Sequence, residues 1–101
     1  MKLAYIAGPY RGSSFWDIQK NIKAAKKVAL KYWKLGYAVI CPHTNTGLYE
    51  DDIEEATLMK GDFEMIRHCD TIVMMEGWRN SVGSKAEHEF AKTLGITIIY
   101  E

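Results

Sequence analysis

The sequence has no excess of either charge, no apolar run longer than a strand, and only two cysteines. Thirteen basic residues balance thirteen acidic ones, so neither a nucleic-acid polymer nor an anionic membrane surface is expected as a partner. The absence of a long apolar run leaves no membrane span. The N-terminus also lacks the basic, apolar and small-residue order of a signal peptide, so a cytoplasmic protein is expected. Cys41 and Cys69 form no C-x-x-C pair, and each adjoins strand-like sequence where buried free thiols are common. No H-x-x-x-H, H-E-x-x-H or cysteine cluster is present, and His43, His68 and His88 fall on separate elements, so no metal and no cofactor are expected. Repeats, linkers and low-complexity tracts are missing too. What is present is 101 residues of ordinary globular composition, read as one domain over 1–101 and small enough to gain from association between subunits.

The hydrophobic period changes several times along the chain. "KLAYIAG" is an apolar run ending in Gly-Pro, as a buried parallel strand does. Ile18, Ile22, Ala25, Ala29 and Trp33 then recur at three- and four-residue steps, a helix with Ser13, Ser14 or Asp17 as cap, Gly36 as stop, and Trp33 in the core. "YAVICP" is a second strand. A polar stretch leads into a helix around Met59 to His68, with Met59, Phe63 and Ile66 on one face. "TIVMM" is a third strand, a helix containing "SKAEHEFAKTL" runs to Gly95, and "ITIIY" is a fourth strand. Strands alternating with helices predict a small doubly wound fold, flavodoxin-like or Rossmann-like. Its mostly parallel sheet has four to five strands and helices on both faces.

Such folds bind ligands at the carboxyl ends of the strands. Here those ends are "GPYRGSS", "PHTNTG" and "EGWRNSVGS". Gly8 and Gly12 flank Arg11, so backbone amides and a guanidinium can converge on an anion, and Ser81, Gly83 and Ser84 open a helix N-terminus. Turns need Gly, Ser and Asn in any case, but three such loops on one edge favour a phosphate pocket. Neither G-x-x-x-x-G-K-[ST] nor G-x-G-x-x-G occurs.

Two glutamates stand at the start of the last helix. Glu87, three residues after Ser84, fits a capping box. It also shares a face with Ala91 and Leu94, whereas Lys85, His88, Glu89 and Lys92 group as a solvated stripe. Glu87 therefore points inward, able to act as nucleophile or as acid and base, and Glu89 is surface. Asp62, after Gly61, reads as a helix cap unless it finds a partner. Tyr5 is core or aims its hydroxyl at a ligand. Pro9 and His43 lie at strand ends where ligand contact is possible. Trp16 and Trp78 flank the glycine-rich loops and can cover a base or join an interface.

"YIAGPYRG", "GDFEMIRHCDTIV" and "SVGSKAEHEFA" together resemble the nucleoside 2-deoxyribosyltransferase superfamily, which includes nucleoside-monophosphate N-glycosidases. Its spacing S-x-G-x-x-x-E-x-x-x-A is met by Ser81, Gly83, Glu87 and Ala91, with D-x-x-x-I met by Asp62 and Ile66. The resemblance implies that Glu87 attacks the anomeric carbon, that Asp62 protonates the leaving base or positions the substrate, and that Tyr5 orients Glu87. It implies further that Gly8, Arg11, Gly12, Ser81 and Gly83 hold a 5′-phosphate. Where many transferases carry another aspartate before the glutamate, this chain has Arg79, Asn80 and Ser81, and the basic charge favours a phosphate-bearing ligand.

Hydrolysis or transfer at the N-glycosidic bond of a nucleoside 5′-monophosphate is thus the expected activity. A nucleotide-binding or sequestering protein of the same fold and a NAD glycohydrolase are the alternatives. A homodimer or higher assembly is expected, since the superfamily commonly builds its sites between subunits.

Overall fold

The computed structural model describes residues 1–101. Four parallel strands, β1 (Leu3–Ala7), β2 (Ala38–Ile40), β3 (Thr71–Met74) and β4 (Thr97–Tyr100), form one sheet in the order β2-β1-β3-β4. Tyr5 lies level with Ile40 on one side and Ile72 on the other, so the middle of β1, one of the two inner strands, is paired on both edges. Helices α1 (Phe15–Lys34), a short α2 (Pro42–Asn45), α3 (Glu55–Arg67) and α4 (Val82–Leu94) complete the chain. No helix is long and apolar enough to cross a membrane. This is the small parallel α/β fold that the alternating periods predict, with four strands.

β1 alternates between two cores, as a strand with a two-residue period must. Ala4 and Ile6 pack under α1 with Ala25, Ala29, Tyr32, Val73 and Met75. Tyr5 and Ala7 face the other way, onto Ile66 of α3 and Ala91 of α4, where Phe63 and Phe90 meet with ring centroids 4.9 Å apart. The first and third connections leave the sheet on opposite sides of β1, so a crevice opens between the carboxyl ends of β1 and β3.

Capping fixes where the helices begin. Ser14 caps α1 by accepting the Asp17 N–H at 3.2 Å, while the Asp17 carboxylate takes the Ser13 N–H and hydroxyl at 3.1 and 2.7 Å. Gly36, at φ 98°, ends it.

Several expectations are corrected. Trp33 is 52% exposed and Tyr32 takes its place in the core. At about 3.6 residues per turn, two turns on from Ala25 fall at Tyr32 rather than Trp33. α3 starts at Glu55, a turn before the expected Met59, which puts Asp62 in the helix interior and removes its capping role. The capping box at Ser84 and Glu87 does not form: the N-cap is Ser81, whose hydroxyl accepts the Ser84 N–H at 3.2 Å, so Glu87 lies beyond the first turn. His88, expected in a solvated stripe, is buried between Trp78 and the Tyr100 hydroxyl, 2.7 Å from its Nε2.

Candidate functional site

The crevice is a cavity of about 830 Å³, within the range of pockets that hold small ligands. Its floor is Tyr5 and Ile6 of β1. One wall is the loop after β1, the second is α2 with the residues that follow it, the third is the inner face of α3, and the fourth is the start of α4. Tyr5, Gly8, Pro9, Arg11, Gly12, His43, Asp62, Ser81, Gly83 and Glu87 all line it. The fold therefore brings together ten of the eleven residues that the sequence singles out as candidates.

The exception is Trp78, which does not line the cavity. Its indole is buried against the His88 ring, centroids 4.3 Å apart, with the Arg79 guanidinium 4.6 Å from its ring centre. An apolar ring on the single 3-10 turn Trp78–Asn80 gains more from this burial than from covering a wet cavity. Arg79 is absent from the lining as well, so the basic charge read from that loop does not reach the cavity. Trp16, 69% exposed at the start of α1, lies outside it too.

Glu87 is 7% exposed and accepts a hydrogen bond from the Tyr5 hydroxyl. The bond links the middle of the inner strand β1 to α4, which fixes the carboxylate over the sheet. Burial pushes the Glu87 carboxyl up to about 8; the Tyr5 hydrogen bond works against this and the Asp62 charge adds to it. Burial raises Asp62 to about 6. The Tyr5 hydroxyl is held well above its ordinary range, by burial first and by the Glu87 charge second. Two carboxyls titrating at about 6 and about 8 hold one proton between them near neutral pH. One site thus carries both a proton donor and a carboxylate.

Close packing shapes the loop after β1. A side chain at Gly8 would run into that of Met75, and one at Gly12 into that of Asp17, so both positions need glycine for the loop to lie down against its neighbours. The Nε2–H of His43 donates to the Pro9 carbonyl at 2.8 Å, which leaves Nδ1 buried without a partner. Burial lowers the His43 pKa, so the ring is neutral and Nδ1 is an acceptor. The Ser84 hydroxyl is likewise buried and unpartnered at the α4 end. Unpaired buried polar atoms cost free energy, and a bound polar ligand offers them partners.

Sequence reasoning missed the mouth. Tyr10 donates to the Glu50 carboxylate at 2.9 and 3.0 Å and accepts the Leu48 N–H at 2.7 Å, tying the loop after β1 to the segment after α2. Arg11 pairs with Glu55 at 2.9 Å across the same opening. The signal available was the acidic run "YEDDIEE", which shows no period to assign it to a wall. No group of three or more His, Cys, Asp or Glu side chains is gathered closely enough to hold a metal ion.

No curated protein matches the chain. Solved structures do. A 2-desoxiribosyltransferase from Leishmania mexicana superposes with a TM-score of 0.69 at 20% identity, over 99% of this chain and 63% of that one. A 2-deoxyribosyltransferase from Bacillus psychrosaccharolyticus gives 0.66 at 20% identity, over 97% and 70%. The CMP N-glycosidase BcmB of Clostridium botulinum gives 0.64 at 18% identity, over 98% and 67%. Nearly all of this chain thus fits about two thirds of each neighbour, and it shares their Rossmann-like fold. The model of the family described as "Domain of unknown function (DUF4406)" matches residues 1–100, and the chain belongs to that family.

Proposed function

We propose that this chain cleaves, or transfers from, the N-glycosidic bond of a nucleoside 5′-monophosphate, with Glu87 as nucleophile. The observation that carries this reading is the buried Glu87 carboxylate, held by Tyr5 in a cavity that Asp62 also lines. The neighbours named as 2-deoxyribosyltransferases and a CMP N-glycosidase support the reaction class through the shared fold.

In the competent protonation state Glu87 is ionised and Asp62 carries the shared proton. A Glu87 oxygen attacks the anomeric carbon. The C–N bond breaks, its electron pair leaves with the base, and the Asp62 proton passes to that base. A glycosyl ester on Glu87 results. Water, or the nitrogen of a second base, then attacks the same carbon, Asp62 takes the proton released, and Glu87 leaves as carboxylate. Tyr5 donates to Glu87 throughout and favours its charged form. Arg11, the amides of the loop at Gly8 and Gly12, and the α4 start at Ser81 and Gly83 are the groups suited to a 5′-phosphate. Pro9 and His43 contact the sugar or base.

One observation favours a second reading. With its carboxyl raised to about 8, Glu87 is largely neutral when the cavity is empty, and a neutral Glu87 serves a nucleotide-binding protein as well as an enzyme. Turnover separates the two. Incubation with ribo- and deoxynucleoside monophosphates, the matching nucleosides and NAD, followed by chromatography, releases free base from a monophosphate with wild type and not with Glu87→Gln. Binding without release by wild type overturns the enzymatic reading. Association into a homodimer or larger assembly belongs to the same proposal, supported by exposed Trp16, Leu30 and Trp33 on α1. A monomer in solution scattering at working concentration contradicts it.

A further inference from the structure

The charge inventory of the cavity raises a question that the phosphate reading does not answer. Four acidic side chains line it, Glu50, Glu55, Asp62 and a largely neutral Glu87, and Arg11 is the only arginine or lysine that does. That guanidinium is already engaged: its Nη2 lies 2.9 Å from a Glu55 carboxylate oxygen. The two residues come from different walls, the loop after β1 and the first turn of α3, so their contact spans the mouth. Both side chains are mostly exposed, 70% and 68%, and water screens the pair strongly. It is therefore closed in the empty cavity and easily opened.

We infer that Glu55 is a specificity-determining residue, which holds the place of the ligand's anionic group on Arg11 and is displaced by it. A dianionic phosphate offers the guanidinium two oxygens in fork geometry and more charge than one carboxylate, so it wins the exchange. A neutral nucleoside has nothing to exchange and leaves the mouth bridged. Glu55 thus lowers affinity by a common factor for every anion that takes Arg11 from it, and leaves a ligand with no anionic group unaffected. The inference rests on the reading of Arg11 as the anion-binding group of the proposed site.

The test is calorimetric titration at low ionic strength with inorganic phosphate and, separately, with cytidine. The proteins compared are wild type, Glu55→Gln and Glu54→Gln. Glu54 is exposed, does not line the cavity and forms no side-chain cap, so its variant repeats the change in net charge beside the same helix start without touching the pair. Phosphate is expected to bind Glu55→Gln about two- to fivefold more tightly than wild type, a range set by the weakness of exposed ion pairs. Glu54→Gln should gain less than half of that, and cytidine should not distinguish the three. Equal gains in the two variants, or no phosphate binding by any of them, overturns the role of Glu55. The base-release assay on the same samples keeps this separate from the proposed reaction. Release with equal phosphate gains sinks only Glu55, and the expected ranking without release sinks only the reaction.

Discussion

The two faces of β1 bury side chains equally well and do opposite things with them. Ala4 and Ile6 meet α1 through Ala25 and Ala29, small residues that let the helix lie close, and the polar atom in that layer, the Tyr32 hydroxyl, is carried out to Glu101 at 2.5 Å. Tyr5, one residue along, aims its hydroxyl inward at Glu87, on the side of the cavity that also holds Asp62 and Ser84. The first face stabilises the fold by removing apolar area from water. The second gives some of that back, because a carboxyl whose ionised form is disfavoured and the unpartnered Ser84 hydroxyl are both costly there. A strand's two-residue period is enough to keep these tasks apart by a single position.

The largest effects should come from removing the costly group. Glu87→Gln is expected to lower base release at least about a thousandfold, as loss of a nucleophile does. Its effect on stability should depend on pH. The folded-state pKa of Glu87, about 8, lies above its ordinary 4.5. Stability from this site is therefore complete below about 4.5 and falls as pH rises through about 8. A neutral glutamine escapes that loss, so the variant should match wild type near pH 4.5 and exceed it by on the order of 4 kcal/mol at pH 9. Urea unfolding at the two pH values measures this; an equal difference at both would mean that Glu87 is not held neutral by the fold.

Ile6→Ala breaks the opposite face. Loss of a fully buried isoleucine between β1 and α1 should cost about 2–5 kcal/mol, with no dependence on pH across the same range. Base release per folded molecule should stay within about twofold of wild type, since Ile6 touches the cavity floor only beside Tyr5. A cost that changes with pH would show that the two faces are coupled through the strand.

Tyr5→Phe is subtler, because the ring and its packing stay. The hydroxyl favours the charged form of Glu87, so its loss should push the Glu87 carboxyl higher and move the alkaline limb of the pH–rate profile above about 8. The acid limb, near about 6, follows the dyad's first ionisation and should move less. A hydrogen bond to a charged group is worth enough for a drop in rate of about ten- to a hundredfold. An unchanged alkaline limb would show that Tyr5 acts by packing alone.

How much of this was legible in the sequence follows the same division. Period and punctuation identify every strand and the three long helices, because burial against a sheet repeats a pattern: Ile18, Ile22, Ala25 and Ala29 recur along one stripe of α1. The phase of a long helix at its far end is less legible, and the core position there is Tyr32 rather than Trp33. Side chains that travel across the fold leave no local pattern. His88 looks solvated by its neighbours in sequence, yet Trp78 and Tyr100 come from a turn and a strand to cover it. The Arg11–Glu55 and Tyr10–Glu50 contacts join segments about 40 residues apart, and neither partner announces the other. Most of the site residues were found because each sits at the end of an element, where turn chemistry is readable; Glu87, within α4, was found because it lies on the apolar side of its helix.

Ser81 offers the smallest and most discriminating test. Its hydroxyl accepts the Ser84 N–H at 3.2 Å and so starts α4, the helix that carries Glu87 on the cavity face. It also lines the cavity beside Gly83, where a 5′-phosphate is proposed to sit. Ser81→Ala removes the cap and should cost about 1 kcal/mol of stability. Ser81→Asp keeps a capping oxygen, and its negative charge suits a helix N-terminus, so it should hold or raise stability while repelling an anionic ligand. The two substitutions therefore part company. If Ser81 serves only the helix, Ser81→Asp behaves as wild type in both melting and turnover. If it serves the phosphate as well, Ser81→Asp melts like wild type yet shows KM for a monophosphate raised about tenfold or more, with the matching nucleoside unaffected.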